Sequence, residues 1–322
     1  METLLIITLI LAFLATLIIT PYWIKRAKKA GLAGRDINKH ERPLTAESGG
    51  IAVVAGFLIS VLFYVGIKTF YFKTTANLVE IFALLSTVLI ITILGLIDDI
   101  LGWKIGIKQW QKPLLCLLAA IPLMVINIGN TEMLLPFIGT INLGLIYPLL
   151  LVPIAISGAS NGFNMIAGYN GLETGMGIII LGTLGIIVYS TEQTWLALVA
   201  LCMVASLIAF LIFNKYPAKV FPGDSLTYSI GALIAITVIL GNMERAGLIL
   251  FIPYFIEFLL KARYKFKIES FGIPQPDGTL KVPEKIGSLT HVYAKIFKTE
   301  KSAVRAIYAT EILLAVIAIF II

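Results

Sequence analysis

The sequence predicts an all-α polytopic membrane protein, with residues 1–322 forming a single integral membrane domain. Three observations carry that prediction. Hydrophobic residues make up 59% of the chain and charged residues 13%, against about 25% charged in water-soluble domains. Mean hydropathy is correspondingly +0.96. Crossing the hydrocarbon core takes about 20 mostly apolar residues, and runs of that kind recur along the whole chain. Lys and Arg, finally, separate into alternate loops between those runs.

The first run, 3–20, lacks a basic segment before it and a small-residue cleavage site after it. It is expected to be a retained span and not a signal peptide. Further runs at 49–67, 78–97, 113–128, 143–159, 176–190, 194–213, 226–241, 246–260 and 304–322 bring the expected count to about ten. Two of them, 113–128 and 176–190, are short enough to be tilted or to begin earlier. The odd-numbered loops (21–48, 98–112, 160–175, 214–225 and 261–303) hold 21 Lys and Arg residues, and the even-numbered loops 3. Basic residues accumulate on the cytoplasmic side, so the odd loops are expected in the cytosol and both termini outward. The net charge of +7 then describes a cytoplasmic face suited to topology and to anionic membrane lipid. Nucleic acid is not an expected partner, because this charge is spread over membrane loops without an aromatic-rich soluble module. Cys116 and Cys202 lie inside apolar runs without metal-ligand spacing, as small hydrophobes do.

Polarity collects in four stretches: DINKHERPLTAESGG (36–50), LGLIDDILGW (94–103), NGFNMIAGYNGLE (161–173) and FPGDSLTYSIGA (221–232). All four fall in odd loops or at the adjoining ends of spans, so one face holds a site. Asp98 and Asp99 close an apolar run. Carboxylates are costly in hydrocarbon and disfavoured at a helix C-terminus by about 0.3–1 kcal/mol each. A hard divalent cation or a cationic partner would relieve both. Asp224, with Ser225, follows Pro222-Gly223 and suits a helix N-cap, a role compatible with ligating metal. Asn161, Asn164 and Gly168 are spaced i, i+3, i+7 and are expected on one helical face. Their carboxamides could be interhelical glue or could complete the oxygen shell of Mg²⁺; Asn170 and Glu173 follow in the same stretch. Loop one adds Asn38, Lys39, Glu47 and Ser48, and loop three adds Lys104, Lys108 and Lys112, the last just before Pro113. Cations, carboxylates and amides on one face suit a phosphate anion with a metal ion, and this is where the residues alone stop.

These four motifs, in this order, resemble the polyprenyl-phosphate N-acetylhexosamine-1-phosphate transferases. The likeness covers about residues 20–262 and is greatest to the archaeal and eukaryotic UDP-GlcNAc:dolichyl-phosphate GlcNAc-1-phosphotransferase branch. The resemblance implies Mg²⁺, with Mn²⁺ as an alternative, held by Asn164 and Asp224. It implies that Lys112 holds phosphate and that Asp98 and Asp99 bind the acceptor phosphate or act in catalysis. Asn170 matches a uracil contact, Glu47 a uridine-side polar contact, and Phe221 an aromatic packing on the base. Asn38, Lys39, Asn161 and Glu173 join the expected substrate-binding set. The bacterial muramoyl-pentapeptide translocase and the enterobacterial common-antigen initiator share the aspartate pair and the NxxN pattern, but their histidine-rich cytosolic motif is absent here. Eukaryotic members read the sugar's N-acetyl group with a Pro-Arg-His-Arg segment in the last cytosolic loop. The corresponding stretch here, FGIPQPDGTLKVPEK (271–285), contains neither Arg nor His. His291 is the one histidine nearby, either a substrate contact or part of an amphipathic surface helix.

The implied reaction is transfer of a sugar-1-phosphate, most simply GlcNAc-1-phosphate, from a UDP-sugar to a polyprenyl or dolichyl phosphate. UMP would be released and lipid-linked oligosaccharide (N-glycan) assembly begun. The last cytosolic loop, 261–303, is expected to form part of the substrate site. The same chemistry with another UDP-N-acetylamino-sugar, for a cell-envelope polymer, is the near alternative. A secondary transporter is the remote one, since its polar site would lie at the bilayer midplane. Expected surroundings are a cell membrane (the endoplasmic reticulum in a eukaryote) and its lipid, with a homodimer as an open arrangement. Glu257 is placed to pair with Lys261 at i, i+4; Glu311, mid-span, has no assigned role.

Overall fold

The computed structural model describes residues 2–135 and 139–321, with backbone alone at 103–105, 133–135, 139 and 140. The side chain of Lys104 thus lies outside the described residues. The architecture is mostly helical. Among the described residues seven helices are long and apolar enough to cross a membrane: α1 (Glu2–Lys29), α2 (Gly50–Phe70), α3 (Leu78–Ile105), α7 (Leu172–Ser190), α8 (Thr194–Asn214), α9 (Asp224–Gly241) and α13 (Glu300–Ile321).

The other three apolar runs form shorter helical pieces. The first is α4 (Gln111–Ala119) with α5 (Ile121–Val125); the second a π-turn, Tyr147–Leu151, leading into α6 (Val152–Met165). The third is α10 (Glu244–Leu250) with α11 (Ile252–Ala262). Each second piece carries a proline in its first two positions, Pro122, Pro153 and Pro253. Proline lacks the N–H that would bond back into the preceding turn, so the ladder is interrupted there. The ten apolar runs therefore resolve into seven continuous helices and three proline-divided ones.

Helix α9 is the centre of the bundle. In its most apolar stretch 83% is buried, against 22% for α1 and 28% for α13. It packs against α6 and α3, and a hydroxyl pair, Thr92 Oγ1 and Ser229 Oγ at 2.7 Å, ties it to α3. Both flanking helices bring a polar motif to the N-terminal end of α9: α3 carries Asp98 and Asp99 just before its break at Gly102, and α6 carries Asn161 and Asn164 in its last turns.

Short strand pairs complete the loops. β1 (Ala33–Arg35) and β2 (Leu44–Ala46) form a hairpin, as do β3 (Glu132–Leu135) with β4 (Gly139–Asn142) and β5 (Ile273–Pro274) with β6 (Leu280–Lys281). A last short helix, α12 (Leu289–Phe297), precedes α13.

Candidate active site

The first hairpin and the stretch before α9 are joined by main-chain hydrogen bonds. Phe221 N–H donates to the Ala46 carbonyl at 2.7 Å, and the N–H groups of Gly49 and Gly50 donate to Phe221 and Pro222, each at 2.9 Å. Loop one and loop seven, over 170 residues apart in sequence, thus share one irregular ladder. The Phe221 ring is half-buried there. Glu47 hangs from the same ladder, with its carbonyl accepting from the Trp23 indole N–H at 2.9 Å. Its half-buried carboxyl lies against Gly34, and desolvation pushes its pKa above the usual glutamate value.

That ladder delivers the chain to Gly223, whose φ is +74°, and so to the first turn of α9. Asp224 is not the N-cap expected from sequence: the helix starts at Asp224 after Gly223, without a local side-chain cap. The cap comes from α3. Asp99 accepts from Asp224 N–H at 2.7 Å through Oδ1 and from Ser225 N–H at 3.3 Å through Oδ2. A helix N-terminus leaves N–H groups without partners, and a carboxylate there is favoured by the dipole as well. The second aspartate of the pair therefore serves the helix, and the Asp224 side chain is left free for other work.

That side chain turns to Lys112. Lys112 Nζ lies 2.7 Å from Asp98 Oδ2 and 2.8 Å from Asp224 Oδ2, and 5.8 Å from the centre of the Tyr228 ring. Its position in the first turn of α4, one residue before Pro113, aims the ammonium between the two helices. Asp98 is fixed from its other oxygen by the Ile107 N–H at 2.6 Å, after the chain has turned at Gly102. One turn along α9, Thr227 Oγ1 donates to Asn164 Oδ1 at 2.8 Å. Asp98, Asp99, Lys112, Asn164 and Asp224 thus form one constellation.

The donor set suits a hard divalent cation. Two carboxylate oxygens converge on a single point now satisfied by an ammonium, with a carboxamide oxygen one turn away. Mg²⁺ favours one or two protein carboxylates, completing its shell with water and phosphate oxygens. Among the described residues no group of three or more His, Cys, Asp or Glu side chains forms a metal cage, and any such ion would complete its shell with water and substrate oxygens.

Asn161 sits a turn before Asn164 and donates to the Ser157 carbonyl at 2.8 Å. Gly168, expected on the same helical face, lies beyond it, because α6 ends at Met165; its φ of +135° marks a loop. Asn161, Pro113 and Met165 open onto a cleft of about 680 Å³ between α6, α9, α10 and α11, whose walls include Ile154, Ile234 and Phe255.

The remaining expected residues form a second, more buried cluster. Asn38 donates to the Gly168 carbonyl at 2.7 Å and accepts from Gly272 N–H at 3.1 Å, pinning loop one to loop five and to the last loop. Asn170 donates to Asp36 Oδ2 at 3.1 Å and accepts from Ala218 N–H at 2.9 Å. Glu173 accepts from Gly168 N–H at 2.8 Å. Lys39 pairs with Asp36 at 3.3 Å and with Glu300, and its ammonium stands 4.2 Å from the Tyr216 ring centre. His291 is fully buried in α12. Its Nε2 contacts the Phe271 carbonyl at 2.9 Å, and its Nδ1 accepts from Gly287 N–H at 3.3 Å. Those partners assign the neutral Nε2–H tautomer, and burial lowers its pKa. Glu257 does pair with Lys261, at 3.5 Å. Sequence reasoning misses Asp36 and Glu300: Asp36 opens the first polar stretch without a signal that separates it from its neighbours, and Glu300 opens an ordinary apolar helix and carries no local signal.

The chain is similar in sequence to several known proteins. Residues 81–242 match the family described as Glycosyl transferase family 4. A Saccharolobus solfataricus protein, provisionally named UDP-N-acetylglucosamine--dolichyl-phosphate N-acetylglucosaminephosphotransferase, is 41% identical over 98% of this chain and 95% of its own. A Dictyostelium discoideum protein bearing that name without qualifier is 28% identical over 74% of this chain and 67% of its own. The phospho-N-acetylmuramoyl-pentapeptide-transferase of Halalkalibacterium halodurans is 32% identical over 76% and 77%. The matched segment contains the aspartate pair, Lys112, Asn164 and Asp224, which the fold gathers at one end of α9, and the chain belongs to glycosyl transferase family 4.

Proposed function

We propose that the protein transfers GlcNAc-1-phosphate from UDP-GlcNAc to a polyprenyl or dolichyl phosphate, with Mg²⁺, releasing UMP and starting assembly of a lipid-linked oligosaccharide. The observation that carries this reading is the Lys112 ammonium between Asp98 and Asp224, in a chain whose next residue, Pro113, lines an apolar cleft together with Asn161. A charged phosphate site beside an apolar-lined cleft suits a lipid phosphate. Helix α6 alone, fourteen residues at about 1.5 Å each, gives that cleft a wall of roughly 20 Å.

The acceptor needs little activation. A phosphate monoester has a second pKa near 6, so at neutral pH its oxygen is already a competent nucleophile. That oxygen attacks the sugar-proximal phosphorus; the bond from this phosphorus to the bridging oxygen breaks, and the oxygen leaves with UMP. Positioning and charge neutralisation then dominate, as in other phosphoryl transfers. Lys112 holds phosphate and offsets its charge. Asp98 orients Lys112 and the acceptor, while Asp99, by capping α9, fixes the direction of Asp224. Asp224 and Asn164 would hold Mg²⁺, which when bound supplies positive charge to the diphosphate. The loops around Glu47, Asn170 and Phe221 are assigned to the uridine end, and the last loop, bonded to Asn38 through Gly272, to the sugar. The polar end of the bundle is assigned to the cytosol and the protein to the cell membrane.

Purified protein supplied with Mg²⁺, polyprenyl phosphate and a panel of UDP-sugars provides the test. UMP release with UDP-GlcNAc, but not with UDP-MurNAc-pentapeptide, is the expected result. Silence across the panel from folded protein would rule out the reaction. The absence of Arg and His from 271–285 favours one second reading: the same chemistry with another UDP-N-acetylamino-sugar, which the panel would expose.

A further inference from the structure

We propose that Glu300, the first residue of the last helix, is a positioning residue for nucleotide-sugar recognition, acting through Asn170 and Lys39; this rests on the reading above that those loops hold the uridine end. Glu300 is buried, with 3% of its surface exposed. One carboxylate oxygen accepts from the Asn170 backbone N–H at 2.6 Å, and the other pairs with Lys39 Nζ. Asp36 completes the group, accepting from Asn170 Nδ2 at 3.1 Å and lying 3.3 Å from the same ammonium. Loop one, loop five and α13 are therefore tied by a single buried set of charges.

Several features separate this from an ordinary surface ion pair. Lys39 is only 13% exposed and stands between two carboxylates, with the Tyr216 ring against it. Removing one partner from a buried charged set leaves the others uncompensated, which is far more disruptive than losing an exposed pair. The contact at Asn170 is to its backbone, so Glu300 fixes where the residue sits irrespective of what its amide does. Asn170 lies between Gly168 and Gly171, both with positive φ, so the segment has few conformational restraints of its own. Meanwhile Glu300 makes no contact with Asp98, Lys112 or Asp224 in the phosphate constellation.

The two halves of the reaction should accordingly respond differently. Glu300→Ala loses both bonds and is expected to raise the KM for UDP-GlcNAc about tenfold or more, equivalent to about 1.4 kcal/mol. The KM for polyprenyl phosphate and kcat should stay within about twofold. Glu300→Gln keeps an oxygen for the Asn170 N–H but loses the charge facing Lys39, and is expected to recover only part of the UDP-GlcNAc KM, which stays measurably above wild type. Both variants would be assayed by UMP release in detergent, well below their melting temperatures, beside wild type. An unchanged UDP-GlcNAc KM in Glu300→Ala, or equal losses for both substrates, overturns the proposal. If Glu300→Ala does not fold, Glu300→Gln decides: a rise in only the nucleotide-sugar KM sustains the proposal, and no selective change overturns it. Wild type without UMP release would instead overturn the underlying reaction.

Discussion

Asp99 caps the helix that begins with Asp224, accepting from its backbone N–H at 2.7 Å, and so one acidic residue sets the direction of another. The adjacent aspartates of α3 therefore have unlike tasks: Asp98 faces the Lys112 ammonium, and Asp99 faces main chain. Loss of an N-capping acceptor costs about 0.5–2 kcal/mol. Asp99→Ala is expected to lower the melting temperature, whereas Asp99→Asn, which keeps one acceptor oxygen, should restore most of it. Misplacing a reacting group by about 1 Å can cost on the order of 10² in rate, so Asp99→Ala should lose activity on that scale. Thermal melts and UMP release measured side by side check both parts; an Asp99→Ala protein with wild-type turnover would remove Asp99 from the machinery.

Lys112 is the cation of the constellation, and its removal should be felt in two ways. Lys112→Met takes away the group that offsets phosphate charge, and kcat is expected to fall by on the order of 10²–10³, the range for losing one electrostatic contact at a reacting centre. It also leaves Asp98 and Asp224 facing each other without compensation. Mn²⁺, which can be followed by its paramagnetic resonance, should then bind the substrate-free variant more tightly than wild type. Equal or weaker Mn²⁺ binding would argue that the Lys112 ammonium does not compete with the ion for Asp224.

Much of this constellation is legible in the sequence because membrane solvent leaves few reasons for an acid or amide near hydrocarbon. Asp98, Asp99, Asn164 and Asp224 stand out against apolar runs, and basic loops put them on one face. What the sequence conceals is the division of labour. Asp224 reads as its own helix cap until Asp99 is seen arriving from another helix, an arrangement that depends on the α3–α9 packing. Gly168 reads as a third residue on a helical stripe, but α6 stops at Met165. The interrupted spans are hidden for a similar reason: hydropathy averages over Pro122, Pro153 and Pro253, while the hydrogen-bond ladder does not. Glu300 is invisible because its partners lie in loops one and five, and nothing in its own neighbourhood anticipates them.

Gly223 offers a test of the close approach between α3 and α9. Its φ is +74°, and a β-carbon there would lie 2.3 Å from Asp99 Oδ2. Gly223→Ala therefore meets both an unfavourable backbone conformation, costing on the order of 1–3 kcal/mol, and a collision with the capping carboxylate. A lower melting temperature together with reduced UMP release is expected. Unaltered stability and activity would mean that the turn before α9 relaxes freely and that Asp99 is not held where the structure puts it.

The last loop should respond to acid through His291. Neutral imidazole fits its surroundings: Nε2–H donates to the Phe271 carbonyl, and Nδ1 accepts from Gly287 N–H. Protonation would turn Nδ1 into a donor facing another donor. Burial is the main cause that lowers the pKa of His291 below its ordinary 6.5, with Lys261 adding to it and the Phe271 contact opposing it. A folded pKa below the unfolded one means that His291 contributes fully above about pH 6.5 and loses that contribution as pH falls through the folded value. Amide hydrogen exchange across 271–291, followed from pH 7.5 to 5 and corrected for the intrinsic rate, should show protection falling on the acid side. His291→Gln, whose amide cannot titrate, should flatten that dependence while keeping a donor for the Phe271 carbonyl. Identical pH profiles in wild type and His291→Gln would show that another group governs the loop.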